Sequence, residues 1–215
     1  MMSSENRVTL FGIMLWSTPI HRGFRMLVRL TMIASGATPA MRKGRFPNDE
    51  ALEPQARERA QAMAASLRRA DRVWTSPALA ARQTVEALGL EASVEPLLAE
   101  QDFARWAGRS FEEIQAEDPD GMAAWFADPD AAPHGGETLS AVVQRGATLV
   151  ERLAGESGHT IAVTHPVLIR AAIVHVLGAP LSSVWKIDIE PLSLTDLRSD
   201  GRRWMLRASG AIMAA

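Results

Sequence analysis

The chain contains no cysteine. That excludes disulfides, thiolate metal sites and cysteine nucleophiles together, and it fits a reducing compartment, so a cytoplasmic location is the expectation. Net charge is nearly absent as well: 23 Lys and Arg stand against 25 Asp and Glu, a formal −2 at pH 7. With no global field to draw the protein toward polyanions, neither nucleic acid nor a membrane surface is an expected partner. The apolar patch Thr9 to Trp16 falls well short of the ~20 residues a spanning helix needs. It does not read as a secretory signal either, because Glu5 offsets Arg7 and no Ala-x-Ala follows the patch. His134, His159 and His175 lack the paired spacing of a metal site and read as surface or packing residues. There is no internal repeat and no low-complexity linker.

What is present suffices for a full core. At 215 residues, 47% hydrophobic and 22% charged, the chain fits one domain with an inserted subdomain. Residues 1–25 read as an N-terminal extension, and residues 26–215 as the domain proper, with the insertion at about 97–137. Helices and strands alternate beyond residue 26, the signature of a sheet covered on both faces. The pattern predicts a first strand over 27–34, an amphipathic helix over 53–69 and a short strand over 72–75. Ser76 then caps a helix over 77–88, with Pro77 at its first position. The insertion carries Trp106, Trp125, Phe103, Phe111 and Phe126 among Pro, Gly and Asp, and reads as short helices around a small core of their own. A helix over 138–153, a strand over 160–164 and a helix over 166–177 ended by Gly178 follow. Strands over 185–189, 193–197 and 203–208 complete the sheet.

Four strings in this order resemble the histidine phosphatase superfamily, the phosphoglycerate-mutase-like proteins, over roughly residues 27–208. They are Thr75-Ser76-Pro77 with Arg82-Gln83-Thr84, Leu98-Ala99-Glu100-Gln101-Asp102-Phe103, Gly135-Gly136-Glu137-Thr138 with Arg145, and Val163-Thr164-His165 with Ile169-Arg170. The resemblance implies a three-layer α/β/α sandwich with a mostly parallel mixed sheet and a small helical insertion. It also implies a reaction in which a histidine of an Arg-His-Gly motif attacks phosphorus, cations hold the phosphoryl oxygens and a carboxyl group protonates the leaving oxygen, with no cofactor or metal.

Laid on that pattern, Ala34 stands where the arginine belongs and Ser35 where the nucleophile belongs. Ala80 stands in place of a phosphate-binding arginine. Arg82, two positions on, is turned by roughly 200° on a helix and cannot take its place directly. Glu100 at the acid position and His165 at the second histidine position remain. Losing a nucleophile or a charge-stabilising donor costs roughly 10² to 10⁴ in rate for each group, so the pattern points to an inactive or impaired enzyme. Such a protein would act through a small anionic ligand or a protein partner. Two alternatives stay open. One is a phosphatase or phosphomutase using displaced substrate-binding residues, namely Thr38, Arg42, Arg82 and Arg170. The other is a hydrolase with Ser35 as nucleophile and His165 as base, although no Gly-x-Ser-x-Gly elbow surrounds Ser35. His165 and Glu100 also have plainer readings, a buried or helix-capping imidazole and a locally bonded carboxyl. The sequence leaves the oligomeric state open.

Overall fold

The computed structural model describes residues 27–211, so the expected extension over residues 1–25 lies outside the described residues. In chain order the elements are β1 (Val28–Ala34), α1 (Pro39–Arg42), α2 (Pro54–Met63), β2 (Arg72–Thr75), α3 (Leu79–Ala87), β3 (Ser93–Val94), α4 (Phe111–Glu117), α5 (Pro119–Ala127), α6 (Leu139–Ala154), β4 (Gly158–Thr164), α7 (Pro166–Leu177), β5 (Leu194–Ser199) and β6 (Trp204–Ala211). The sheet runs β3-β2-β4-β1-β5-β6. Its first four strands are parallel, and β5 and β6 are antiparallel additions on the β1 side. This is the expected mixed sheet.

Side-chain alternation along β1 divides the core in two. Val28, Leu30, Met32 and Ala34 join Val142, Leu149 and Leu153 of α6 and Leu168, Ile169 and Ala172 of α7 on one face. Ile33 joins Ala60 and Met63 of α2 and Ala81 and Val85 of α3 on the other. The layers are therefore helix, sheet, helix. Gly146 lets α6 lie close on α7, since a β-carbon there would sit 3.0 Å from that of Ala171.

The insertion has its own core of Phe103, Trp106, Ile114, Met122 and Trp125, joined by Phe46 from the connection between β1 and α2. A capping box of Ser110 and Glu113 starts α4. His134 belongs to this core, edge-on to Phe103 and Trp106. His159 bridges Thr31 and the Arg69 carbonyl, and His175 pairs with Glu151 on the surface. Among the described residues no group of three acidic, His or Cys side chains is placed to hold a metal, and no helix is long and apolar enough to cross a membrane.

Three expectations need correction. The helix expected over 53–69 ends as α-helix at Met63 and tightens into a 3₁₀ turn through Ser66. The helix expected from residue 77 begins at Leu79, because Ser76 N–H first extends the sheet by donating to the Val163 carbonyl. No strand forms over 185–189. Leu181–Lys186 is a 3₁₀ helix that buries Val184 against Leu139 and Val174, and β5 already occupies the free edge of β1.

Burial depresses the proton affinity of His134 and, on the other side of the molecule, of His159. Both imidazoles bind fewer protons folded than unfolded, so the stability they confer is full above about pH 6.5 and is lost as pH falls below it. Melting temperature should therefore drop between pH 7.5 and 5.5. His134→Gln, which keeps an acceptor for the Gly136 N–H that now bonds Nδ1, should flatten that slope, as thermal melts across the pH series would show.

Candidate active site

β1, β4 and β2 are adjacent and parallel, so the residues after their last members arrive at one edge of the sheet: Ser35, His165 and Ser76. Backbone bonds fix them there. Ser35 N–H donates to the Thr164 carbonyl at 2.7 Å, and Ser76 N–H to the Val163 carbonyl at 2.9 Å. Carboxyl ends of parallel strands are where open α/β sheets hold ligands.

His165 occupies the centre, and both of its ring nitrogens are taken. Nδ1 lies 3.1 Å from Glu100 Oε2 and Nε2 lies 2.8 Å from Ser76 Oγ. Ser76 Oγ also accepts from the Ala78 N–H. All three groups are satisfied when the Ser76 hydroxyl donates to Nε2 and Nδ1–H donates to Glu100. The chain Ser76-His165-Glu100 has the connectivity of a hydroxyl–imidazole–carboxylate relay, yet Ser76 is 0% exposed and does not line the cleft. Its hydroxyl cannot reach a substrate.

Glu100 is held from behind. Burial pushes its carboxyl up, but His165, the Gln101 N–H and Arg145 outweigh that and hold it below the ordinary value. Arg145 organises this region. Its guanidinium grips Glu137 with two nitrogens, at 3.0 and 2.7 Å, and donates to the Leu97 and Ala99 carbonyls. The strings containing Glu137 and Arg145 thus shape the loop that presents Glu100.

A cleft of about 420 Å³ opens over this edge. Ser35, Thr38, Ala80, Glu100 and His165 line it, so the structure brings these sequence-selected positions together. Ser35 is 3% exposed, and its hydroxyl has no hydrogen-bond partner among the described residues. It does not bond His165, whose nitrogens are engaged elsewhere. Ala34 lies beneath the floor, packed among Leu98, Ala162 and Ile169.

The three arginines expected at the substrate site do not line the cleft. Arg42 turns away to Glu53, with Nε at 2.8 and 2.7 Å from its carboxylate oxygens. Arg82 is exposed on α3, as its helical offset from Ala80 dictates. Arg170 lies half-buried behind the cleft, its proton affinity lowered by burial and supported by Asp188 and Glu100, and its Nε is unpartnered. Thr38 does line the cleft, but its hydroxyl caps α1 at Met41 N–H.

Sequence reasoning missed the acidic side of the cleft. Asp49, Glu50 and Asp102 line it, with Arg45 as the opposing cation. Asp49 Oδ1 accepts from Leu79 N–H at the start of α3, at 2.6 Å, and Glu50 Oε2 accepts from Ala40 N–H in α1, at 3.1 Å. Gly36 N–H is spent on Thr84 Oγ1. The amides that would face an anion at these helix starts already hold the protein's own carboxylates. Position alone, in loops after two strand ends, was the available signal.

With this geometry in place, the likeness to known proteins has a structural frame. The sequence matches the model of the histidine phosphatase superfamily (branch 1) over residues 33–211. It is 26% identical over 188 residues to phosphoserine phosphatase 1 of Hydrogenobacter thermophilus, covering 82% of this chain and 89% of that one. It is 31% identical over 176 residues to glucosyl-3-phosphoglycerate phosphatase of Mycolicibacterium vanbaalenii, covering 74% of this chain and 78% of that one. Its fold superposes on the structure of a mycobacterial glucosyl-3-phosphoglycerate phosphatase in complex with VO₃ with a TM-score of 0.76 at 29% identity, over 86% of this chain and 99% of that one.

The Arg145 clamp makes a direct prediction. Arg145→Met leaves Glu137 and two carbonyls without their donor and should cost about 2–4 kcal/mol in urea unfolding. Adding Glu137→Gln should recover part of that loss, because the stranded charge goes with it. Additive losses would mean that the pair is not the tie described.

Proposed function

The chain belongs to the histidine phosphatase superfamily (branch 1), and from that membership we propose that it is a ligand-binding protein whose cleft does not carry out phosphohistidine transfer. One observation carries this reading: the position of the attacking imidazole holds Ser35, and the remaining imidazole, His165, spends both nitrogens on Glu100 and Ser76. Phosphoryl transfer by this family's route needs a free ring nitrogen facing phosphorus and cations around the equatorial oxygens. Neither requirement is met by the groups that line the cleft. The surroundings support the same reading, since Arg42 and Arg145 are tied to carboxylates outside the cleft and Arg82 faces solvent.

The phosphatase that relies on displaced arginines loses its residues on this account. A hydrolase built on Ser35 and His165 loses its base, because the hydroxyl bonded to His165 is that of Ser76. What the cleft retains is a defined volume, the Ser35 hydroxyl and mostly apolar walls with a few polar groups, which is sufficient for recognition.

The test is direct. Purified protein should hydrolyse p-nitrophenyl phosphate and p-nitrophenyl acetate no faster than the His165→Ala and Ser35→Ala variants do. Phosphatase turnover abolished by His165→Ala would overturn the proposal, and so would ester turnover abolished by Ser35→Ala. Building back the missing groups offers a second check. Ser35 and Ala80 face the cleft, so Ser35→His with Ala80→Arg should raise affinity for inorganic phosphate by about tenfold or more. Adding Ala34→Arg should instead destabilise the fold, because that position lies in the apolar layer beneath.

A further inference from the structure

The near-zero net charge of the chain is unevenly placed. Residues 97–137, which hold the insertion, carry ten Asp and Glu against Arg105 and Arg109, leaving a surplus of Lys and Arg in the rest of the chain. Both arginines are spent within the insertion, on Asp118 and Glu117. Glu112, Asp120, Asp128 and Asp130 are exposed and have no ion pair among the described residues. An acidic insertion on a basic remainder has a local field that steers cationic segments toward it.

A second observation is apolar and independent of the charge. Trp125 of α5 meets Phe126 at 4.7 Å between ring centroids and Trp185, of the 3₁₀ helix Leu181–Lys186, at 4.9 Å, and Phe126 meets Trp185 at 5.2 Å. Phe111 at the start of α4 adjoins the group, 6.4 Å from Trp125. Trp125 is buried, but Phe126 is 50%, Phe111 40% and Trp185 38% exposed. Large aromatic side chains linked in this way and left to solvent mark an interaction surface.

What covers that surface must be apolar where it meets the rings and cationic where it meets the carboxylates of the insertion. The chain itself supplies such a stretch ahead of the described residues. Leu10, Phe11, Ile13, Met14, Leu15 and Trp16 make an apolar run, His21, Arg22 and Arg25 follow it, and no acidic residue stands between positions 9 and 25. Residues 17–26 span up to about 33 Å when extended, a reach comparable with the width of a domain this long. We propose that residues 9–25 dock on the insertion of their own chain, with the apolar run on Phe126 and Trp185 and with Arg22 and Arg25 among the carboxylates. The insertion supplies Gln101, Asp102, Phe103 and Ala107 to the cleft, so the docked segment braces one wall of it from outside. This contact goes beyond the reading of the cleft and does not depend on the chemistry there.

The lack of cysteine makes the test clean, because introduced thiols are the only ones present. In the full chain, Ser17→Cys is combined either with Ala123→Cys, exposed on α5, or with Ala65→Cys, exposed in the 3₁₀ turn after α2 on the opposite face of the sheet from Trp185. A flexible bismaleimide at low salt should link the first pair within one chain about tenfold or more faster than the second, through the higher effective concentration that docking gives. Rising salt should shrink that advantage. Phe126→Ser with Trp185→Ser should remove most of it, with the melting temperature recording that the fold is intact. Arg22→Glu with Arg25→Glu should do the same, and these two positions lie outside the described fold, so this variant decides the matter even where the ring variant fails to fold. The proposal is overturned if the two pairs link equally fast, or if the first pair links between chains rather than within one, which would make a second copy the occupant. It is equally overturned if the charge-reversed variant links as the parent does.

Discussion

Two backbone hydrogen bonds, from Ser35 N–H to the Thr164 carbonyl and from Ser76 N–H to the Val163 carbonyl, carry the parallel ladder one residue past the ends of its strands. Everything at the cleft follows from that register. Three neighbouring strands deliver their next side chains to one edge, so the location of the cleft is a property of the backbone and its chemistry a property of a few side chains. Not all positions around the cleft are equally constrained by the fold. Ala34 packs into the apolar layer and Ala80 is a small buried member of α3, and neither leaves a hole that the core must fill.

The arginines show where the positive charge near the cleft is spent. A guanidinium near a cleft is stabilised by a ligand or by an internal acceptor, since its five donors are costly to leave unsatisfied. Arg42 has taken Glu53, Arg145 has taken Glu137 and two carbonyls, and Arg45 has taken the Gly108 carbonyl. Meanwhile the helix starts beside the cleft, which present N–H groups to any anion, have been claimed by Asp49 and Glu50. The donors of these arginines and helix starts are closed within the protein, whereas Arg170 Nε stays without a partner among the described residues, and carboxylates outnumber arginines along the cleft.

Much of the framework was legible because it is local. The apolar run of β1, the helix that becomes α6 and the glycine that ends α7 are all short-range signals, and the structure has each where the residues indicated. The likeness in four strings also brought Glu100, His165, Ser35 and Thr38 to one cleft. What failed was long-range. The segment Trp185-Lys186-Ile187-Asp188-Ile189 alternates as a strand should, but β5 holds the place beside β1 and β6 the place beside β5, and tertiary context overrode the pattern. Nothing in a loop sequence announces that Arg42 will meet Glu53, or that Asp49 will cap a helix thirty residues away. Ser76 reads as a helix cap, but the N-cap of α3 is Ala78, and the bond of Ser76 to His165 required knowing that β2 and β4 are neighbours.

The contact between Glu100 and His165 does not by itself argue for catalysis. The imidazole is 5% exposed, and the carboxylate is held low in proton affinity by its neighbours despite a strong burial penalty. Removing either partner alone would strand the other's polar atoms in a site with little water, a cost larger than the net worth of the bond itself. Ser76 adds to the constraint, since its hydroxyl joins His165 to the start of α3 through the Ala78 N–H. A relay of this kind is held together structurally, because each member satisfies the next. The positions free to change at little structural cost are Ser35 and Ala80, which line the cleft and present a hydroxyl and a methyl to it.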